Sequence, residues 1–171
     1  MGGLYVVGTT KSRKSLGYVM QVLEKFNPGQ VFLETSNHDL QKGNYHRLSL
    51  DFLVAYNWAK RNNKSICGFD SEIDGQLEIF KGKCKKTLIQ MTLFCEYEES
   101  CELNKTKYDK SFKYLESLLY DTDVLNKRRE EMISRIRGNR SDGMTSLVLV
   151  SVEHLHYFAK KMKEAQFPYR D

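Results

Sequence analysis

Four short apolar runs, separated by stretches in which apolar residues recur every third or fourth position, set the rhythm of this chain. Residues 4–8 (LYVVG), 30–34 (QVFLE), 65–70 (SICGFD) and 145–152 (TSLVLVSV) show little polar alternation, which predicts strands covered on both faces. After the first run, Val19, Val22, Leu23 and Phe26 recur at helical spacing. Ser15 is placed to cap that helix, and Asn27-Pro28-Gly29 stops it. The stretch 35–44 (TSNHDLQKGN) predicts a loop, and Leu48, Phe52, Ala55, Tyr56 and Ala59 predict a second amphipathic helix running into Asn62-Asn63. From Gln76 to Arg137 the chain is charged, studded with Leu, Ile, Phe and Met, and free of proline. It predicts helices over 76–98, 107–119 and 121–137, with breaks near Asn104 and Asp121. A turn over 138–144 (GNRSDGM) leads to the last strand, and 153–166 (EHLHYFAKKMKEAQ) predicts a C-terminal helix.

A β-α-β-α-β order followed by helices and a final strand predicts an α/β fold. The expected form is a mostly parallel sheet of four or more strands flanked by helices, with a helical insertion before the last strand. The length, 171 residues without internal repeats or a linker-like tract, suits a single domain over 1–171.

The formal charge of +5 is modest and by itself implies no nucleic acid. The basic stretches 81–86 (KGKCKK) and 128–140 (RREEMISRIRGNR) read as solvated helix faces, so nucleic acid is disfavoured as a partner. Cys67, Cys84, Cys95 and Cys101 lack a C-x-x-C pair, which predicts free thiols in a reducing compartment. No cationic leader followed by a long apolar stretch is visible, so a cytoplasmic protein without membrane contact is expected. An amphipathic stripe along 108–119 (YDKSFKYLESLL) points to a homodimer through the helical section 76–137.

In open parallel sheets, ligands gather beyond the carboxyl ends of the strands. Each run here delivers polar residues at that end: Gly8-Thr9-Thr10-Lys11, Glu34-Thr35-Ser36, Asp70-Ser71-Glu72, and Ser151, Glu153 and His154. Parallel strands would bring Lys11, Glu34, Asp70 and His154 to one rim, a set suited to general acid/base chemistry or a metal. The structural reading of the same residues is a helix cap or salt bridge for Asp70 and an ion pair with Lys11 or an arginine for Glu34. His154, at the strand-to-helix junction, is the better site candidate; His156 reads as surface or packing, and His38 and His46 carry no assignment. Gly8, Lys14 and Ser15 also match the spacing of a G-x-x-x-x-G-K-[ST] phosphate loop, yet Arg13 occupies the second glycine position. A side chain there opposes the backbone bend such a loop needs. The basic KSRK still suits an anion at a helix N-terminus.

Taken in order, four segments resemble the TraB/PrgY family and its wider Tiki, ChaN and erythromycin-esterase-like relatives. VVGTTKSRKSLGYVMQVLEKFNPGQVFLE (6–34) is similar to the family's opening strand, G-T-x-H turn, helix and glutamate-bearing second strand. DFLVAYNWAKRNNKSICGFD (51–70), LNKRREEMISRI (125–136) and LVLVSVEHLHYFAKKMKE (147–164) resemble its later helices and its closing strand with a G-x-x-H turn. The resemblance implies a site made by the two turns and the glutamate after the second strand: Gly8, Thr9, Thr10, Lys11, Glu34 and His154, with Asp70 and Arg128 beside them. Some relatives are metal-dependent proteases or hydrolases, one branch binds haem, and others act in signalling. The implied roles are Glu34 or His154 as general base, and Gly8–Lys11 with Arg128 as ligand contacts. Glu34, Asp70 and His154 are the candidates for a divalent metal. Here the first turn carries Lys11 for histidine, the second begins with Ser151 for glycine, and Arg129 stands where the family has Asp. An ammonium repels a cation, which turns the expectation from a metal toward a small anionic or peptide-like ligand. A hydrolase-like enzyme and a non-catalytic ligand-binding or regulatory module of the same fold are both compatible with this pattern; a phosphate-loop nucleotide binder is the third reading.

Overall fold

The computed structural model describes residues 2–10, 12–71 and 100–171. Its strands are β1 (Leu4–Thr9), β2 (Gln30–Leu33), β3 (Ser65–Gly68) and β4 (Ser146–Ser151). They form one all-parallel sheet in the order β1-β4-β2-β3. The helices are α1 (Ser15–Phe26), α2 (Asn37–Lys42), α3 (Leu50–Arg61), α4 (Ser100–Leu103), α5 (Asp109–Leu119), α6 (Thr122–Asn139) and α7 (Leu155–Lys161). The fold is therefore the expected α/β sheet with helices between β3 and β4. The helix expected over 76–98 lies outside the described residues.

Period-two alternation explains how the apolar strands serve two cores at once. Val7, Val31, Leu33, Leu147 and Leu149 face one side, where they pack with Val19, Val22 and Leu23 of α1 and Phe52, Ala55 and Ala59 of α3. Leu4, Val6, Phe32, Val148 and Val150 face the other, against Met132, Ile133 and Ile136 of α6 and Leu155 and Phe158 of α7. A third, smaller cluster joins Leu103, Phe112, Leu119, Leu125 and Val152 beside the carboxyl end of β4. The chain steps from β1 to β2 to β3 with α1 and α3 on one face. It then returns to the centre with α6 on the opposite face, so direction and face reverse together, as one crossover hand requires.

Two local expectations change. Residues 35–44 are not a loop: Ser36 accepts a hydrogen bond from the Asp39 N–H at 3.0 Å, capping α2, which ends at Gly43 in a left-handed conformation (φ 72°). Ser15 does not cap α1 but is its first residue, and its hydroxyl donates to the Ser12 carbonyl at 2.7 Å. Among the described residues no helix is long and apolar enough to cross a membrane.

Candidate functional site at the strand ends

Because all four strands run the same way, their carboxyl ends share one rim, and the side chains there are buried polar groups. Glu34, just past β2, is 6% exposed. It accepts from the Ser151 N–H at 2.5 Å and from the Ser151 hydroxyl at 2.8 Å, which ties the ends of β2 and β4 together. His154, in the single 3-10 turn Val152–His154 after β4, is buried next to it, with Nε2 3.8 Å from Glu34 Oε1 and 3.7 Å from Glu153 Oε1. Its Nδ1 accepts a hydrogen bond from Arg129 Nε at 3.1 Å. A guanidinium can only donate, so Nδ1 is the unprotonated nitrogen and Nε2 carries the proton that faces the carboxylates.

Asp70, beyond β3, is held differently. Phe69 and Asp70 continue the ladder through N–H donors to the Leu33 carbonyl (3.2 Å) and the Thr35 carbonyl (3.0 Å). The Asp70 carboxylate is gripped on both oxygens by Arg128, through Nε at 2.9 Å and a close contact from the terminal nitrogen. Arg135 donates to the Asp70 carbonyl at 2.6 Å. Three arginines spaced along α6 thus fasten that helix to the rim: Arg128 and Arg135 at Asp70, and Arg129 at His154. Arg129 is itself buried, donates also to the Glu153 carbonyl at 3.2 Å, and pairs closely with Glu116 of α5. Burial pushes the Glu116 carboxyl up to about 7, outweighing the Arg129 charge. Burial likewise raises the Tyr120 phenol, reinforced by the charge of Glu153.

The β1 end is closed from the side. The buried amide of Asn104 accepts from the Gly8 N–H at 2.7 Å and donates to the Gly8 carbonyl at 2.9 Å, standing in for a neighbouring strand. Gly8 suits that close approach, since a Cβ there would lie 3.0 Å from Val152 Cα and 3.2 Å from the Asn104 oxygen, so that these neighbours would have to give way slightly. Thr9 is fully buried beside Ser151, and the Thr10 hydroxyl meets that of Ser12 at 2.7 Å. Lys11 lies outside the described residues. Arg13 and Lys14 are exposed, and the α1 amides of Ser15 and Leu16 bond to the Ser12 and Arg13 carbonyls rather than presenting to an anion.

The rim therefore gathers Glu34 with His154, and Asp70 with Arg128. Of these residues only Glu34 and Asp70 line the cavity at the strand ends. That cavity, of ≈120 Å³, is completed chiefly by Ser36, Asp39, Arg47 and Ser49. The buried guanidinium groups of Arg128 and Arg129 are taken up by the carboxyl groups of Asp70 and Glu116. A divalent metal does not fit the donors as arranged. Both Asp70 oxygens are on Arg128, both Glu34 oxygens are on Ser151, and the His154 lone pair is on Arg129. Among the described residues no three His, Cys, Asp or Glu side chains cluster in a way that could hold one.

Sequence reasoning passed over Asn104 and Glu116 and gave Arg129 no structural part. Asn104 leaves no signal, since its role depends on a strand 96 residues away. The other two leave one: Glu116 falls on the stripe Phe112, Glu116, Leu119, and Arg129 on the stripe Leu125, Arg129, Met132, Ile136, each a charge at an apolar position. No family model, no curated protein and no solved structure matches this chain.

Proposed function

We propose that this chain is a non-catalytic ligand-binding module that keeps a TraB-like α/β fold and uses the strand-end residues of its relatives as a lock between helices and sheet. The order of its segments and the parallel sheet with helices before the last strand support the kinship. One observation carries the loss of catalysis: the atoms that would do chemistry are already engaged inside the protein. His154 can act as a base only by giving up its bond to Arg129, and its other nitrogen already bears a proton. Glu34 is held by both donors of Ser151.

The competing reading is a hydrolase, favoured by one feature, the Ser151 hydroxyl resting on a buried carboxylate at 2.8 Å. The two separate in one assay of the purified chain against esters, peptides and phosphoesters, with and without manganese or zinc. The module predicts no turnover above buffer and an unchanged melting temperature after chelation. Metal-stimulated turnover that disappears in Glu34→Gln and in His154→Ala, with both variants folded, overturns it. For the nucleotide-loop reading, the expected result is equal melting of the wild type and Lys14→Ala with saturating ATP and magnesium. Self-association belongs to the same proposal: Tyr114, Leu118 and Val124 are exposed at 65%, 41% and 43% on α5 and α6, within the section expected to dimerise.

A further inference from the structure

Away from the strand ends, α5, α6, α7 and the last residues of the chain enclose a hollow of ≈590 Å³, within the range of small-molecule sites. Five basic side chains stand on its wall against two acidic ones. The two acids are answered locally, Asp109 by Arg170 and Glu116 by Arg129. That leaves Lys113, Lys160 and Lys163, which are exposed and form no ion pair among the described residues. Three uncompensated ammonium groups on one concave wall make a local positive field out of proportion to the chain's modest net charge.

A second observation points into the same space. The His156 side chain is 7% exposed and lines the hollow, and its Nδ1 has no hydrogen-bond partner. The Glu153 carbonyl offers the ring only a marginal backbone hydrogen bond, short of full hydrogen-bond geometry at Nδ1. A buried polar nitrogen without a partner is costly, so its presence at the wall of a cavity marks a place where a ligand can satisfy it. The hydroxyls of Ser117 and Thr122 lie on the same wall as further donors.

We propose that this hollow binds a small phosphate-bearing molecule, with Lys113, Lys160 and Lys163 holding the phosphate groups and the Nδ1–H tautomer of His156 donating to one of them. Lysine engages phosphate as a mobile point charge, which suits three separate stems on one open wall better than the planar match that carboxylates offer arginine. The inference rests on the binding-module reading and names its ligand class. Arg129 belongs both to this wall and to the rim, where it holds His154, so a ligand here abuts the side chain that links α6 to the sheet.

The test is a titration of the full chain with sodium pyrophosphate at about 150 mM salt, where loosely held surface charge is largely screened. Binding is followed by melting temperature and by the imidazole NMR signals. Expected are saturable binding, displaced His156 signals with those of the exposed His38 and His46 unmoved, and affinity at least about tenfold weaker in Lys160→Glu/Lys163→Glu. Lys60→Glu/Arg61→Glu, the same charge change on α3 across the sheet, should bind like the wild type. Equal loss in the two double variants, no saturation by about 10 mM, or citrate binding as tightly as pyrophosphate overturns the proposal. Phosphate release is measured in the same samples: hydrolysis would refute the non-catalytic reading while leaving the binding site intact.

Discussion

Replacing Glu116 by glutamine removes one of two buried groups whose proton equilibria oppose each other. In the folded protein the Glu116 carboxyl keeps its proton to about pH 7 because burial outweighs the Arg129 charge, whereas its ordinary value is 4.5. Its contribution to stability is therefore complete below pH 4.5 and is lost as the pH climbs to 7. His156 runs the other way. Burial, aided by the charges of Arg129 and Lys113, lowers its imidazole to about 4 from 6.5, so its contribution is complete above pH 6.5 and is lost as the pH falls to 4. Each displacement is worth about 3 kcal/mol. Between pH 4.5 and 6.5 the folded chain carries the proton on Glu116 and the unfolded chain carries it on His156. The proton count is then the same in both states, and the pair contributes no slope. Urea unfolding followed by circular dichroism from pH 4 to 8 should show this as two mirrored difference curves. Glu116→Gln gains on the wild type by about 3 kcal/mol from pH 4.5 to 7, and His156→Gln falls behind it on acid-to-neutral titration from pH 4 to 6.5 by a similar amount. Wild type minus double variant should be nearly level from pH 4.5 to 6.5. A level Glu116→Gln difference curve would refute the reasoning, because it would mean that Arg129 keeps the carboxylate ionised despite its burial.

Other substitutions probe the rim and its supports. Asn104→Leu leaves the Gly8 N–H and carbonyl buried without their amide partner and should cost about 2–4 kcal/mol in urea unfolding. Gly68→Ala places a Cβ 2.6 Å from the Thr35 carbonyl oxygen and 2.7 Å from the Asn37 nitrogen, so a loss of at least about 1–3 kcal/mol is expected by thermal melting. Arg128→Met leaves Asp70 buried without its guanidinium and should cost about 3–5 kcal/mol, and adding Asp70→Leu should restore part of that loss, read as a positive coupling in a double-mutant cycle.

How far the sequence reveals this molecule depends on the range of the interaction. The four strands and the helices α1, α3, α5 and α6 follow from local periodicity, and their parallel arrangement follows from connection rules, so the shared rim could be anticipated. α2 escaped because its cap, Ser36, and its terminator, Gly43, are themselves the residue types that mark loops. The types of the rim residues could be read from strand ends, but their partners could not. That Glu34 meets Ser151 depends on β4 entering between β1 and β2, which no local pattern encodes. The charges set into the apolar stripes of α5 and α6 were legible as anomalies, and two opposite ones on consecutive helices point to a buried pair.

The position of β4 also sets the order in which the chain can fold. Among the described strands β1 is made first, yet its sheet neighbour begins at Ser146. Its other side is met by the Asn104 amide and by Gln166, which exchanges backbone hydrogen bonds with Leu4 and Val6 at 2.8 and 2.9 Å. Until synthesis passes residue 146, β2 and β3 have each other, whereas Leu4, Val6 and Val7 lack their sheet partner among the described strands. Joining β1 to the sheet is thus a late, long-range event, slow by its sequence separation, and the nascent chain must keep this apolar strand from pairing elsewhere until β4 is made.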